Sequence, residues 1–192
     1  FPSSATFPFA HVFFLCFPLR SYVQVKMADA GASATAVKRL VKEKAKCWKK
    51  VENGRVEQPD PENMFEWKLY MQGPAEYVVG DEVRPCPYAG REFCVTLVYP
   101  KTYPYEAPEM TFETGVLYHP NVNNETGEMC MEGIEGPTFK IHERAAHVFK
   151  FLTTPNMDSP QDADCAALMT RDIAAYETKA RAWAAKAPAA KK

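Results

Sequence analysis

From Phe65 onward the chain alternates. Phe65, Trp67, Leu69 and Met71 face one way, and Glu66, Lys68, Tyr70 and Gln72 the other. A period of two predicts a half-buried strand, and Gly73-Pro74 ends it. The stretch "REFCVTLVYP" repeats the pattern, with Phe93, Val95, Leu97 and Tyr99 on one face. A short third strand is expected at Met110–Glu113, after a segment broken by Pro104 and Pro108. Elsewhere the apolar spacing is helical. Val37, Leu40, Val41, Ala45 and Trp48 predict a helix from Ala34 to Lys50, with Ser33 or Thr35 as its cap. Further helices are expected over Glu143–Leu152, Asp162–Met169 and Asp172–Lys186, the last with Ile173, Tyr176, Ala180 and Trp183 on one stripe. "ENGRVEQPDPEN" and "AEYVVGDEVRPC" read as polar connections, and "PAAKK" as a frayed end. Helix, three or four strands, a structureless loop region, then helices make an α+β order with an antiparallel meander.

Composition changes this picture little. A chain of 192 residues fits one domain with tails and is large enough to fold without disulfides. A net charge of -1 argues against a nucleic-acid binder by charge alone. The six cysteines at 16, 47, 86, 94, 130 and 165 include no CxxC pair, as expected for free thiols in a reducing compartment. The apolar run "ATFPFAHVFFLCFPLR" has no basic residues before it, is interrupted by prolines, and is too short to span a bilayer. Residues 1–26 are therefore expected to be upstream sequence, 1–32 a disordered extension, 33–186 the working domain and 187–192 a frayed basic tail.

Charge is concentrated in one place. The first helix carries Lys38, Arg39, Lys42, Lys44, Lys46, Lys49 and Lys50 against one acid, Glu43. Such a face is either solvated or a dock for acidic protein partners. No aromatic platform is interleaved for nucleic acid.

The candidate chemistry lies in "YHPNVNNETGEMC", where a polar loop closed by Gly127 delivers Cys130. A thiol hydrolase would need a histidine base, for which His119, His142 and His147 are available, but no protease signature surrounds the cysteine. Zinc binding by His119, Cys130, His142 and His147 lacks regular ligand spacing.

The same stretch resembles the active-site signature of ubiquitin-conjugating enzymes, a His-Pro-Asn, a short loop, a glycine and then the catalytic cysteine. "AVKRLVKE", "ENMFEWKLYMQGP", "PYAGREFCVTLVYPKTYPYEAPEMTF", "FLTTPN" and "YETKARAW" resemble further parts of that family, in order, from about Ala34 to Lys186. The resemblance implies the family's α+β fold: a four-stranded antiparallel meander with an N-terminal helix and C-terminal helices. It implies that Cys130 accepts ubiquitin from an activating enzyme as a thioester and passes it to a substrate lysine, usually with a ligase bound. Alternatives are the same chemistry with another ubiquitin-like protein, or a non-catalytic interaction module.

By the same matching, Asn121 takes the place of the amide assigned to the oxyanion, while His119 and Pro120 shape the loop. Asp158 and Glu132 are candidate acids near the incoming amine. Lys38, Arg39, Lys42, Tyr105, Pro137 and Thr138 fall on surfaces that meet the activating enzyme and ligases. The implied partners are ubiquitin or a related modifier, these enzymes and protein substrates, without nucleic acid or membrane. No metal or cofactor is implied, ATP being used by the activating enzyme, and cytoplasm and nucleus are the expected locations. The chain departs from the common pattern in three places. The loop before Cys130 is slightly longer, "MEGIEGPTFKI" after it is shorter and lacks a tryptophan, and "AEYVVGDEVRPC" is longer.

Overall fold

The computed structural model describes residues 34–131, 133–134 and 136–191. The expectations for residues 1–32, the Ser33 cap and Glu132 lie outside them. Helix α1 (Ala34–Cys47) runs into a short 3-10 turn, Trp48–Lys50. Strands β1 (Gly54–Glu57), β2 (Glu66–Gln72), β3 (Glu76–Val79), β4 (Glu82–Pro85), β5 (Glu92–Val98) and β6 (Glu109–Phe112) follow. Helices α2 (Ile141–Thr153), α3 (Ala163–Arg171) and α4 (Ile173–Ala184) complete the order.

Strands β1, β2, β5 and β6 form one antiparallel sheet in that spatial order. The alternation read from the sequence sets its register. Trp67 lies opposite Leu97, Leu69 opposite Val95 and Met71 opposite Phe93, and all six side chains are buried. Directly opposed apolar pairs on one face are the unit of sheet stabilisation. A slip by one residue would turn them to solvent. Helix α2 covers this face with Ile141, Ala145, Val148 and Leu152, all buried.

Two segments differ from their reading as loops. Gly54–Glu57 is an edge strand on β2, with Val56 opposite Leu69. It has only one apolar residue, too few to show a period. "EYVVGDEVRP" is a hairpin of its own, β3 against β4, with Val78 opposite Val83. Gly80, at φ +60°, occupies the first central position of its two-residue turn, where left-handed backbone is needed. The hairpin is tied to α4 by buried Glu177, which accepts hydrogen bonds from Tyr77 Oη at 2.9 Å and Arg84 Nε at 2.8 Å. Asp162 and Asp172 cap α3 and α4, accepting from the backbone N–H of Cys165 at 2.8 Å and Ala175 at 2.9 Å. Both aspartates stand one residue before their helices, as N-caps rather than as the first helical residues expected from the sequence.

Helix α1 is turned relative to its predicted stripe. Ala36, Leu40, Glu43 and Cys47 are buried, while Val37 and Val41 are exposed. An acid enters the core because it has partners. Glu43 accepts from Arg39 Nε at 2.6 Å, Tyr103 Oη at 2.5 Å and the Ile141 backbone N–H at 3.0 Å. Its carboxylate thus joins α1 to the N-terminus of α2, where the helix dipole favours negative charge.

The expectation of a frayed end at 187–192 is corrected for residues 187–191. Glu92 N–H donates to Pro188 O at 2.9 Å, and Ala190 N–H to Gly90 O at 3.0 Å. Ala187 is buried, and its carbonyl accepts from Arg91 at 3.1 Å. Backbone pairing with residues 90–92, invisible to composition, holds this segment.

Candidate active site

The segment from Leu117 to Val122 is buried without a break. His119 shows why such a polar run can be buried. Its Nδ1 accepts the Asn121 N–H at 3.0 Å, and its Nε2 lies 3.1 Å from Phe151 O. Only the neutral ring with the proton on Nε2 satisfies both. Burial pushes the imidazole pKa down to about 4, which keeps it neutral. With both nitrogens engaged, His119 has no free lone pair for a thiol proton. The carbonyl of Pro120 accepts from the N–H groups of Gln161 at 2.8 Å and Asp162 at 3.1 Å, which fastens the loop to the start of α3.

Asn121 is fully buried. Its Nδ2 donates to Asn156 O at 2.6 Å and lies 3.4 Å from Ser159 O, and its Oδ1 accepts the Asn156 N–H at 2.8 Å. The resemblance gives this amide the oxyanion role, and its hydrogen bonds here run to the groove-lining Asn156. This carboxamide is engaged with the backbone of residues 156–159. A buried amide must satisfy its donors and acceptor, and those backbone groups do so.

Beyond Val122 the chain makes a tight excursion. Asn123 Oδ1 accepts from the N–H groups of Glu125 and Thr126 at 3.0 and 3.1 Å. Val122 bridges Met129, and Thr111 of β6 bridges Glu128. Gly127 has φ +78°, and a Cβ there would lie 2.1 Å from Phe112 O. Only glycine fits both the backbone angle and the contact. This pinning delivers Cys130 at a defined point.

Cys130 is half-buried and lines a groove of about 550 Å³ with His147, Lys150, Phe151, Thr154, Pro155, Asn156, Met157 and Asp158. The groove runs between the end of α2 and the loop that Asn121 holds. Its walls offer apolar surface, one ammonium group and one exposed carboxylate. Burial pushes the Cys86 and Cys165 thiols up to about 12, and raises those of Cys47 and Cys94. Cys130 is the cysteine in the groove wall.

The structure brings Asp158 to the thiol's groove. His147 also lines it, its ring edge-on to Phe151 with centroids 4.4 Å apart. No group of three or more possible metal ligands occurs among the described residues. Lys150, Phe151, Pro155 and Met157 were missed in the sequence. Their helical spacing and the "TTPN" break place them on an element's end, but not beside a residue some distance back along the chain.

The expected partner residues lie in two areas. Lys38 and Lys42 are exposed on α1, and Arg39 Nη2 donates to Pro137 O at 3.3 Å. The basic helix and the loop carrying exposed Pro137 and Thr138 are thus one continuous surface. Tyr105 is 77% exposed, so it is not packed away between Pro104 and Pro108.

Comparison with known proteins gives a consistent result. A family model described as ubiquitin-conjugating enzyme matches residues 39–184. A solved structure of a candidate ubiquitin conjugating enzyme from Plasmodium yoelii aligns with TM-score 0.66 and 27% identity, covering 83% of this chain and 99% of its own. The E2 domain of a Toxoplasma gondii ubiquitin conjugating enzyme aligns with TM-score 0.65 and 27% identity, covering 79% and 97%. The α+β architecture expected from the sequence is the one these structures share.

Proposed function

The chain belongs to the ubiquitin-conjugating enzyme family, and on that premise we propose that Cys130 carries ubiquitin as a thioester and passes it to substrate lysines. The observation that supports this most is the half-buried Cys130 in the wall of a groove of about 550 Å³. An extended C-terminal peptide tail needs such a groove to reach a sulfur without unfolding the enzyme.

In the first step the Cys130 thiolate attacks the carbonyl carbon of the thioester on the activating enzyme. A new C–S bond forms, and the activating enzyme's sulfur leaves as thiolate. In the second step a lysine amine attacks the same carbon, loses its proton and expels the Cys130 thiolate, forming an amide. A thiolate suits both steps as nucleophile and leaving group. Asp158, in the groove, orients the amine or takes its proton, and the apolar walls favour the neutral amine by desolvation. His119 and Pro120 fix the loop. Asn121 is assigned a positioning role, holding the 156–159 wall against the thiol. The basic α1 face with Pro137 and Thr138 receives the activating enzyme and ligases, and Tyr105 is a ligase anchor. A reduced thiol is required, consistent with work in cytoplasm and nucleus.

Incubation with activating enzyme, ATP and ubiquitin tests the reading. The expected product is an adduct cleaved by reductant, which Cys130→Ser converts to a reductant-resistant ester. An adduct only with another ubiquitin-like protein would reassign the modifier. No adduct with any modifier would leave a non-catalytic interaction module.

A further inference from the structure

A second concavity lies away from the thiol, between α1 and the N-terminus of α2. It has a volume of about 210 Å³, and Arg39, Lys42, Lys46, Lys50 and Lys140 line it with His142, Cys47 and Glu43. Glu43 is the carboxylate of this wall, and both its oxygens are engaged by Arg39, Tyr103 and the Ile141 N–H. Lys140 lies 3.7 Å from Glu143, a half-exposed pair. Lys42, Lys46 and Lys50 take part in none of the ion pairs or hydrogen bonds of the described residues.

This arrangement is unfavourable with nothing bound. Lys42 and Lys46 lie four apart on α1, where like charges repel, and Lys50, at the end of the 3-10 turn that follows, lines the same cavity. The dipole of α1 welcomes Lys46 near its C-terminus, but Lys140 stands at the opposite kind of terminus, the N-cap of α2, where a cation is disfavoured. Each of these costs is relieved by one event, the arrival of a multiply charged anion. A cavity lined by five cationic side chains, whose one carboxylate is already engaged by Arg39, Tyr103 and the Ile141 N–H, suits a phosphoryl group.

We propose that this cavity binds a phosphoryl ligand carrying at least two negative charges. The ligand is either a free phosphate compound or a phosphorylated side chain presented by another protein. Because Arg39 and Lys42 line the cavity, its occupant also covers part of the α1 face. This site is independent of the thioester reading and stands or falls without it.

The test is calorimetric titration of the full chain at constant ionic strength set with chloride. The probes are inorganic pyrophosphate and, separately, a phosphoserine peptide with its unphosphorylated form as reference. Saturable one-site binding is expected. Lys46→Gln combined with Lys140→Gln should weaken it at least tenfold, or about 1.4 kcal/mol. Lys44→Gln, on a side chain that donates to Gln58 Oε1 at 2.6 Å outside the cavity, should change it less than about twofold, a control against general charge attraction. Pyrophosphate binding supports the site with a free ligand as occupant. Binding of the phosphopeptide alone supports it with a phosphorylated protein as occupant. Failure of both probes to saturate at millimolar concentration overturns the proposal, as does equal weakening by the double and the Lys44 variants. Melting curves check that the variants remain folded, the half-exposed Lys140–Glu143 pair contributing at most about 1 kcal/mol.

Discussion

Asn121 and Asn156 hold each other twice: the Asn121 Nδ2 donates to the Asn156 carbonyl at 2.6 Å, and the Asn156 N–H donates to Asn121 Oδ1 at 2.8 Å. A side-chain amide here stands in for a strand partner. It joins the segment before the thiol to the far wall of the groove.

Asn121→Ala should therefore lower stability as well as transfer rate. It leaves the Asn156 N–H and carbonyl without their partner, at up to about 1–3 kcal/mol for each group, reduced where water in the groove reaches the half-buried Asn156. Thermal denaturation should show Tm lower by several degrees. Asn121→Asp, which keeps the acceptor and loses the donor, should be nearly as damaging. An unchanged Tm in both variants would show that the pair does not hold the wall.

Gly127→Ala should destabilise by roughly 1–3 kcal/mol through left-handed backbone strain alone, and by more because its Cβ would meet Phe112 O at 2.1 Å. Denaturant titration measures the loss. Since the displaced hairpin carries Cys130, thioester formation should slow in the same variant.

Glu43→Ala should be among the most damaging single changes, about 3–5 kcal/mol. It strands the Arg39 guanidinium and removes the acceptor for Tyr103 Oη and the α2 N-terminus. Glu43→Gln retains acceptor geometry toward Tyr103 or Ile141 and should cost less. Equal losses for Ala and Gln would mean that charge alone matters here.

His119 gives the protein a pH dependence of known sign. Its pKa is lowered from an ordinary 6.5 to about 4 by burial, so between these values the unfolded chain binds the proton that the folded one refuses. Its stabilising contribution is complete above about pH 6.5 and is lost progressively as pH falls toward 4. Urea unfolding at pH 7.0, 6.0 and 5.0 should show falling stability, at up to about 1.4 kcal/mol per pH unit. His119→Gln should be less stable at pH 7 yet flatter across this range. A parallel slope in the variant would assign the titration to another group.

Tyr105→Ala should leave Tm within about 1 °C of the native value, because exposed side chains contribute within about 0.5 kcal/mol and Tyr105 is 77% exposed. Ligase-stimulated transfer is the activity expected to fall, measured against unstimulated discharge to free lysine.

The sequence by itself determined what is periodic or local. The alternation through Trp67–Met71 and Phe93–Leu97 specified the two central strands and their buried face, because a pleated strand puts every second residue on one side. The starts of α3 and α4 were legible to within one residue, at Asp162 and Asp172, because apolar spacing is a local signal. The loop of the candidate site and its cysteine were legible as a contiguous motif. Tertiary structure decided the rest. It buried Glu43 in place of Val41, because Tyr103 and Ile141, remote in sequence, supply the partners that make a buried acid tolerable. It turned the amide of Asn121 toward Asn156 and paired residues 187–191 with residues 90–92. Hydrogen-bond partners across such separations leave no period in the chain, so only the folded arrangement reveals them.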